Sequence, residues 1–321
     1  MNRTLPELQS SDRELLNLLQ EEFPLTKDPF AVLGRRIGVS EDEALRTTKR
    51  LHQTGLVRAI SGIFDPAGIG YRSTLAAMHV DYFRQEEAAA VISAHPGVSH
   101  NYARDHYYNI WFTLSLPAEQ SADDVISALA ESAGVVACLN LPALRVFKLR
   151  VFFDMSEGGT DEGDVPVNSG ISKVRNLYEL AADDKRVVKQ LCQDLPLVAS
   201  PFEMLAERSG MGFEDFMARA VRLKESGAMR RLSAVLRHRK AGFVANGMTC
   251  WKASPDEIVE AAGKACSRKE ISHCYERRTA PDWPYSLFAM IHGRTRDECK
   301  AVAESVSRDV GLTGYLQLFS S

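Results

Sequence analysis

A short pattern, Ser-His-x-Tyr-x-Arg, occurs twice in this sequence, at residues 99–104 (SHNYAR) and 272–277 (SHCYER). Because successive side chains of a β-strand point to opposite faces, the His, Tyr and Arg of each copy project from one face of a strand. Together they offer a ring that titrates near neutral pH, an aromatic hydroxyl and a permanent cation. Such a set could pass a proton to a bound anion. Alternatively, each histidine is satisfied by a neighbouring group, on a strand face that meets solvent or another sheet.

The first copy opens a polar stretch, residues 99–114 (SHNYARDHYYNIWFTL), whose alternation predicts a β-hairpin. A hairpin with one face in a core needs apolar side chains on that face, whereas this one holds two His, three Tyr, an Arg and an Asp. The stretch is therefore either a solvent-exposed strand pair or the lining of a pocket for a large, flat, acidic ligand.

An internal repeat organises the whole chain. Residues 23–40 (FPLTKDPFAVLGRRIGVS) align with residues 195–212 (LPLVASPFEMLAERSGMG) at an offset of 172, since 195 minus 23 is 172. One added residue brings the two Ser-His-x-Tyr-x-Arg copies into the same alignment. An acidic segment rich in Gly and Ser, residues 154–170, separates the copies and is typical of a linker. The chain is thus two homologous repeats that have been fused.

Each repeat predicts a winged helix-turn-helix followed by a ferredoxin-like domain with the element order βαββαβ, so the fold class is α+β. In the first repeat, residues 56–65 (LVRAISGIFD) predict a wing of two strands with a tight turn at Ser61-Gly62. The predicted boundaries are 1–65 and 171–238 for the winged helices, 66–153 and 239–321 for the ferredoxin-like domains, and 154–170 for the linker.

Composition limits the function classes. With 45% hydrophobic and 25% charged residues, the 321-residue chain is typical of a soluble globular protein, and no apolar run approaches the ~18 residues of a membrane span. The N-terminus lacks the apolar core of a signal peptide, and the six cysteines show neither a CxxC pair nor a metal-finger spacing. We expect a cytoplasmic protein with idle thiols.

The distribution of charge argues against DNA as the partner. The net charge is −3, and the predicted recognition helices begin with acidic turns, Ser40-Glu41-Asp42-Glu43 and Gly212-Phe213-Glu214-Asp215. Basic residues gather instead in the wings, at 230–240 (RRLSAVLRHRK), Arg58 and Arg72. Guanidinium groups there could bind carboxylates in a bidentate way, or form a solvated edge that discourages aggregation. A wing tip could also touch DNA.

The sequence resembles a known family. A winged helix joined to a ferredoxin-like domain resembles the Lrp/AsnC regulators. Four longer sequence segments are more similar to the enzymatic relatives of these regulators, the siroheme decarboxylases. In the first repeat the resemblance lies in RAISGIFDPAGIGYRSTLAAMHV and GVSHNYARDHYYNIWFTL; in the second it lies in RRLSAVLRHRKAGFVANGMTCW and CYERRTAPDWPYSLFAMIHG. It implies a fused two-subunit enzyme that removes two acetate carboxyls of siroheme as CO2, in heme d1 or alternative heme synthesis. His273 departs from the expected pattern, where an apolar residue would stand.

The resemblance also implies roles for particular residues. His100 and His238, with His273 behind them, would donate the proton or position the substrate, and an axial contact to the siroheme iron is a competing role. Tyr102 and Tyr275 would contact the ring. The arginines that would bind the peripheral carboxylates are Arg58, Arg104, Arg230, Arg237, Arg239 and Arg277.

The expected partners follow from the same resemblance. The ligands would be siroheme and its decarboxylated product, with no separate cofactor or metal site because the substrate carries its own iron. One chain would imitate a heterodimer, with neither nucleic acid nor membrane as a partner; association into a homo-oligomer stays open. The alternative function is an Lrp/AsnC-type DNA-binding regulator that senses a tetrapyrrole or another effector, and a third is a heme-binding protein without catalysis.

The remaining rings and histidines are expected to be structural. Trp111, Phe112 and Phe288 are predicted in the core, and His95 before Pro96-Gly97 is predicted to end a helix. Trp283 could belong to a lid or to a packed loop. His106 and His292 receive no rank from the sequence.

Overall fold

The computed structural model describes residues 8–149, 180–237 and 245–320. The predicted linker at 154–170, His238 and Arg239 lie outside the described residues. The described chain divides into two compact units. We call residues 8–70 and 180–237 the helix unit, and residues 71–149 and 245–320 the sheet unit. Each unit therefore takes one part from each sequence repeat.

Ten α-helices and ten strands form within the described residues, and they are numbered along the chain. The first repeat contributes α1 (Ser10–Glu21), α2 (Pro29–Ile37), α3 (Glu41–Gln53), β1 (Val57–Phe64), β2 (Tyr71–His79), α4 (Gln85–Ser93), β3 (Val98–Ala103), β4 (Ile110–Pro117), α5 (Ala122–Ala133) and β5 (Ala137–Leu149). The second contributes α6 (Ala182–Leu191), α7 (Pro201–Arg208), α8 (Phe213–Glu225), β6 (Met229–Leu236), β7 (Ala245–Trp251), α9 (Ile258–Cys266), β8 (Ile271–Arg277), β9 (Leu287–Gly293), α10 (Arg296–Val310) and β10 (Tyr315–Phe319). None of the described helices is long and apolar enough to cross a membrane.

Local signals in the sequence set the helices of the helix unit. Pro29 occupies the first turn of α2, where its missing N–H costs nothing, and Gly38 ends that helix with a φ of 73°. Ser40 caps α3 by accepting a hydrogen bond from the backbone N–H of Glu43. Gly55 follows α3 with a φ of 73°. The three predicted helices of each repeat are confirmed.

The wing prediction is wrong. β1 runs without a turn through Ser61 and Gly62 and pairs antiparallel with β6 of the second repeat. A two-residue hairpin turn of the common types needs a positive φ at its centre, and Gly62 is not among the glycines with positive φ. In the register of this ribbon Ser61 lies opposite Ser233, its own counterpart in the repeat. Each predicted wing strand pairs with a strand of the other repeat. A search for local hairpins considers only neighbouring strands and so misses this pairing.

The two halves of the helix unit share one core. Phe23 packs edge-on against Phe30 of its own repeat and Phe202 of the other, with ring centroids 5.5 and 6.3 Å apart. The backbone crosses in both directions as well: Phe23 N–H donates to Leu232 C=O, and Leu195 N–H donates to Ile60 C=O. These matched bonds follow the repeat and join the two copies into one unit.

The sheet unit confirms the order βαββαβ in both repeats. Each repeat forms four strands, in the order β5-β2-β4-β3 and β10-β7-β9-β8, and pairing of β5 with β8 joins them into one sheet of eight. Helices α4 and α5 cover one face of the first half, around Phe112 and Leu114. Helices α9 and α10 cover the corresponding face of the second half. The two four-stranded halves of this sheet are therefore each covered by their own pair of helices.

The other face of the sheet encloses a third core that both repeats build. Trp111 and Leu141 of the first repeat meet Cys250, Trp283 and Phe288 of the second there. Trp283, 1% exposed, belongs to a packed loop rather than to an exposed lid. An antiparallel bridge between residues 104 and 320 connects the end strands β3 and β10, so the sheet curls until its edges meet. Trp111, Phe112 and Phe288 are buried as predicted.

Gly97, just before β3, gives a stability prediction. A Cβ at this position would lie 2.5 Å from the carbonyl oxygen of Ser115 on β4, and Ser115 N–H donates to Gly97 C=O at 2.8 Å. We expect Gly97→Ala to destabilise the protein by about 1–3 kcal/mol, because the backbone atom cannot move away without loss of pairing. Thermal unfolding followed by circular dichroism measures the change.

Gly263→Ala is the matched control. Gly263 lies inside α9, where an added Cβ meets nothing within 4 Å. This variant should be stabilised by about 0.5–1 kcal/mol, since alanine has the higher helix propensity. Equal melting temperatures for the two variants would contradict the prediction.

Candidate functional site

The first Ser-His-x-Tyr-x-Arg copy forms a stacked triplet on β3. The rings of His100 and Tyr102 lie with centroids 6.1 Å apart and planes 25° from parallel. The guanidinium carbon of Arg104 lies 5.4 Å from the centre of the Tyr102 ring, within cation–π range. The three side chains share a face, as their alternate positions predict.

The second copy repeats this geometry on β8. His273 and Tyr275 have ring centroids 6.1 Å apart and planes 24° from parallel, and the Arg277 guanidinium lies 4.6 Å from the Tyr275 ring centre. In each copy the preceding serine reaches the histidine: Ser99 Oγ lies 3.1 Å from His100 Nδ1, and Ser272 Oγ lies 2.7 Å from His273 Nδ1. Two independent strands thus hold the same four-residue arrangement.

The two triplets differ in burial. His100 and Tyr102 are exposed, with 41% of Tyr102 accessible, whereas His273 and Tyr275 are half-buried. The fold explains the difference, because β3 ends the row of eight strands while β8 lies in its middle. The histidine of the second repeat is therefore the better shielded from water.

The arginine of each triplet donates a hydrogen bond to the backbone of the other repeat. Arg104 Nη1 donates to the carbonyl of Leu318 on β10 at 2.9 Å, and Arg277 Nη1 donates to the carbonyl of Leu141 on β5 at 2.8 Å. The Nε atoms of both side chains are buried without an acceptor in the part of the chain described. Each guanidinium therefore donates one hydrogen bond to a strand of the other repeat, and its buried Nε–H is left to donate to a ligand.

These two cations lie near the same buried thiol. Burial lowers the pKa of Arg104, which is 4% exposed, and lowers the pKa of Arg277 to about 10. Burial also raises the pKa of the Cys250 thiol, and the charges of both arginines act against that rise. No ion pair between a carboxylate and either arginine forms within residues 8–149, 180–237 and 245–320. The interior of the sheet unit holds positive charge that an anionic ligand would complement.

The ribbon arginines lie in the helix unit. Arg230 forms an ion pair with Asp65 at 3.1 Å, so its charge is already matched. Arg58 and Arg237 are exposed at the opposite end of the ribbon, where Val57 pairs with Leu236, and neither forms an ion pair with a described residue. The predicted substrate roles of these arginines, and of Arg239 and His238 outside the described residues, stay predictions.

Two other histidines have local structural contacts. His95 Nδ1 accepts a hydrogen bond from Gly97 N–H at 3.0 Å, two residues after α4 ends. His106 Nδ1 accepts from Tyr108 N–H at 3.1 Å, its ring meets Trp283 edge-on, and burial lowers its pKa. Both fit the structural role that the sequence suggested for His95.

The sequence missed His292. Its Nε2 lies 2.6 Å from Ser272 Oγ and its Nδ1 lies 2.6 Å from Asn246 Oδ1, so it is linked through Ser272 to His273. No spacing in one strand could reveal this link, because the residues come from β7, β8 and β9. The strand register alone brings them together.

A surface cleft of about 430 Å³ lies elsewhere in the sheet unit, where Arg72 and Arg278 face Thr74 and Asn140 at the start of α5. Thr74 donates to Asn140, which donates to Asp123. In the described residues, no group of three or more His, Cys, Asp or Glu side chains is arranged to hold a metal ion.

Two family models match the chain, each of them twice. The model of the siroheme decarboxylase NirDL-like HTH domain matches residues 12–58 and 184–230, and that of the AsnC-like ligand binding domain matches residues 68–148 and 240–321. A siroheme decarboxylase of Hydrogenobacter thermophilus is 40% identical over 96% of this chain and 91% of its own length. The chain belongs to the siroheme decarboxylase family.

Other family members agree with this assignment. The siroheme decarboxylase NirDL subunit of Paracoccus pantotrophus is 32% identical over 91% of this chain and 87% of its own length. The crystal structure of the siroheme decarboxylase NirDL superposes with a TM-score of 0.75 at 36% identity, covering 97% of this chain and 91% of the other. A second crystal structure, with the same TM-score, is a co-complex of NirDL with an iron-uroporphyrin III analogue. The expected α+β architecture and its repetition are confirmed.

The family also contains separate subunits. In Desulfovibrio desulfuricans, the α subunit of siroheme decarboxylase is 40% identical over 48% of this chain, and the β subunit is 38% identical over 44% of it. The matches cover 88% and 91% of those subunits. A single chain that combines two subunit-like repeats is consistent with these lengths.

The burial of Arg277 gives a prediction about stability. Since its pKa is lowered to about 10, its charge is less stable in the folded than in the unfolded chain at every pH below that value. Arg277→Met removes this cost, so its melting temperature at pH 7 should equal or exceed that of the wild type.

The neighbouring exposed Arg278 supplies the control. Arg278→Met should leave the melting temperature unchanged, because its guanidinium already meets water. A clear fall for Arg277→Met in ligand-free protein would mean that its bond to Leu141 outweighs the cost of burial, and would contradict the prediction.

Proposed function

We propose that this protein is a carboxy-lyase that removes two acetate carboxyl groups of siroheme without oxidation and gives 12,18-didecarboxysiroheme. The observation that carries the proposal is the 40% identity with a siroheme decarboxylase along 96% of the chain, which includes both triplets. The product would serve heme d1 or alternative heme synthesis.

The reaction balances without an added oxidant. In each step the bond between the acetate methylene and its carboxylate breaks, CO2 leaves, and the electron pair stays on the methylene carbon, delocalised into the macrocycle. A proton then converts that carbon into a methyl group. Two steps consume two protons and release two molecules of CO2, so the protein must supply anion binding, a water-poor site and a proton donor.

The arginines fit the first need. Arg104 and Arg277 bring buried charge that no described carboxylate neutralises, and each keeps an Nε donor without an acceptor. We assign them to peripheral carboxylates of the substrate, together with Arg58, Arg230, Arg237 and Arg239. Arg230 would exchange the carboxylate of Asp65 for that of the ligand.

The triplet rings fit the third need, and the half-buried triplet of the second repeat also fits the second. Tyr102 and Tyr275 lie between a histidine and an arginine, and so offer a ring edge and a hydroxyl to a flat macrocycle. His100, His238 and His273 are the candidate proton donors, and an axial contact to the iron of siroheme is their competing role.

The setting completes the proposal. We infer that no resident cofactor is needed, since the substrate brings its own iron and the macrocycle takes up the electron pair. All six cysteines are free thiols, four of them buried, which suits the reducing cytoplasm that we propose as the location. One chain would act as a pseudo-heterodimer, and such chains could associate further.

The regulator alternative has the AsnC-like architecture in common with this chain. The first turn of α3 carries Glu41, Asp42 and Glu43, and that of α8 carries Glu214 and Asp215. These carboxylates would meet the phosphates of DNA at the end of a helix that normally approaches them, so we do not propose nucleic acid as a partner.

Mass spectrometry of siroheme after anaerobic incubation tests the function. The wild type should convert siroheme into a product lighter by two molecules of CO2. His100→Ala and His273→Ala should each slow turnover by about 10²–10⁴-fold if the residue donates a proton. An unchanged tetrapyrrole mass with folded wild-type protein would refute the enzyme and leave a passive binder.

The control variant is His52→Ala. His52 lies in the helix unit, where its Nε2 atom lies 2.7 Å from Asp194 Oδ2, and it has no part in the proposed chemistry. Its turnover should equal that of the wild type. Tight, salt-dependent DNA binding by the same preparation would favour the regulator instead.

A further inference from the structure

A chain of hydrogen bonds leads from β7 and β9 to the histidine of the second triplet. Asn246 Oδ1 lies 2.6 Å from His292 Nδ1, His292 Nε2 lies 2.6 Å from Ser272 Oγ, and Ser272 Oγ lies 2.7 Å from His273 Nδ1. Ser272 is 5% exposed, and both histidines are half-buried. Short, shielded contacts of this kind hold their hydrogens in fixed places.

The chemistry of the first group gives the chain a direction. An amide oxygen accepts hydrogen bonds only, so His292 carries a hydrogen on Nδ1. In neutral His292 the Nε2 atom is then an acceptor, and the hydroxyl of Ser272 donates to it. The oxygen of Ser272 in turn accepts from His273, which places a hydrogen on His273 Nδ1.

Among the described residues, the first repeat has the serine–histidine contact of this chain, between Ser99 and His100, but no histidine in the place of His292. Ser115 takes the place of His292, since each lies two residues beyond the residue that pairs with the triplet histidine. Its strand neighbour Ser73 corresponds in the same way to Asn246. Ser115 Oγ donates to Ser73 Oγ at 3.3 Å on an exposed surface. The scaffold is shared, but only the second repeat places an imidazole there.

We propose that His292 and Ser272 are positioning residues that fix the proton of His273 on Nδ1, so that His273 exchanges a proton with the substrate through Nε2. This inference rests on the proposed function for the identity of the substrate, although the tautomer itself does not depend on it.

The role in the reaction follows from the proton balance. Doubly protonated His273 gives its Nε2 proton to the methylene carbon as CO2 leaves, and the ring becomes the neutral form with hydrogen on Nδ1. The chain from Asn246 stabilises that form, and so favours the transfer. A proton from solvent then restores the cation for the second step.

The direct test is ¹⁵N NMR of histidine-labelled, ligand-free protein, with His273→Gln to assign the His273 signals. Above the pKa of the ring, the wild type should show a protonated Nδ1 and an unprotonated Nε2. Ser272→Ala removes one small hydroxyl and should shift the ring towards a mixture of tautomers, and Ser272→Thr should restore the wild-type pattern. An identical His273 spectrum in wild type and Ser272→Ala would overturn the proposal.

Kinetics with siroheme supply a second readout. Ser272→Ala and His292→Leu should lower kcat by about 10–100-fold with little change in KM, as for other groups that orient a reacting side chain. Ser115→Ala is the matched control in the first repeat and should retain the wild-type kcat. Equal kcat values for Ser272→Ala and Ser115→Ala would also overturn the proposal.

The two readouts keep the failures apart. If the wild type leaves siroheme unchanged while the tautomer still depends on Ser272, the proposed function fails and the hydrogen-bond chain stands. If siroheme is decarboxylated while the tautomer and kcat ignore Ser272, the function stands and the positioning role fails.

Discussion

Two guanidinium groups link the two repeats of the sheet unit at a cost in free energy. Arg104 and Arg277 each donate to a carbonyl of the opposite repeat, and neither meets a carboxylate in the described chain. A cation that leaves water without a counter-charge costs free energy, which one neutral hydrogen bond recovers only in part. The cost is tolerable if the same groups bind anions during function. These contacts between the repeats and the contacts that would hold the substrate therefore use the same side chains.

Periodicity and repeats predicted most of the fold. Helical spacing, Pro29 and the Ser40 cap indicated the helices, and alternation indicated both βαββαβ modules, since each of these signals acts within a few residues. The wing failed because β1 finds its partner on β6, about 170 residues away in sequence. A pattern within one strand tells which face is apolar and not which strand lies beside it.

The candidate site divides in the same way. The His-Tyr-Arg triplets were visible because alternate residues of one strand must share a face. His292 was not, because it reaches Ser272 through the register of β8 with β9. The acceptors of the two arginines were hidden as well, since Leu318 and Leu141 contribute only backbone oxygens, which no residue type reveals.

Fusion of the repeats removes a constraint that a homodimer obeys. Identical subunits must place the same residue at both symmetry-related positions, so any change at one site is copied to the other. Here Asp65 and Arg237 occupy equivalent positions in the β1–β6 ribbon and differ in charge. Ser115 and His292 occupy equivalent positions in the sheet and differ in side-chain chemistry. The two repeats thus share a backbone arrangement but carry different side chains at equivalent positions. A shared scaffold with one proton-positioning chain would let one half specialise in the proposed proton transfer while the other keeps the same binding geometry.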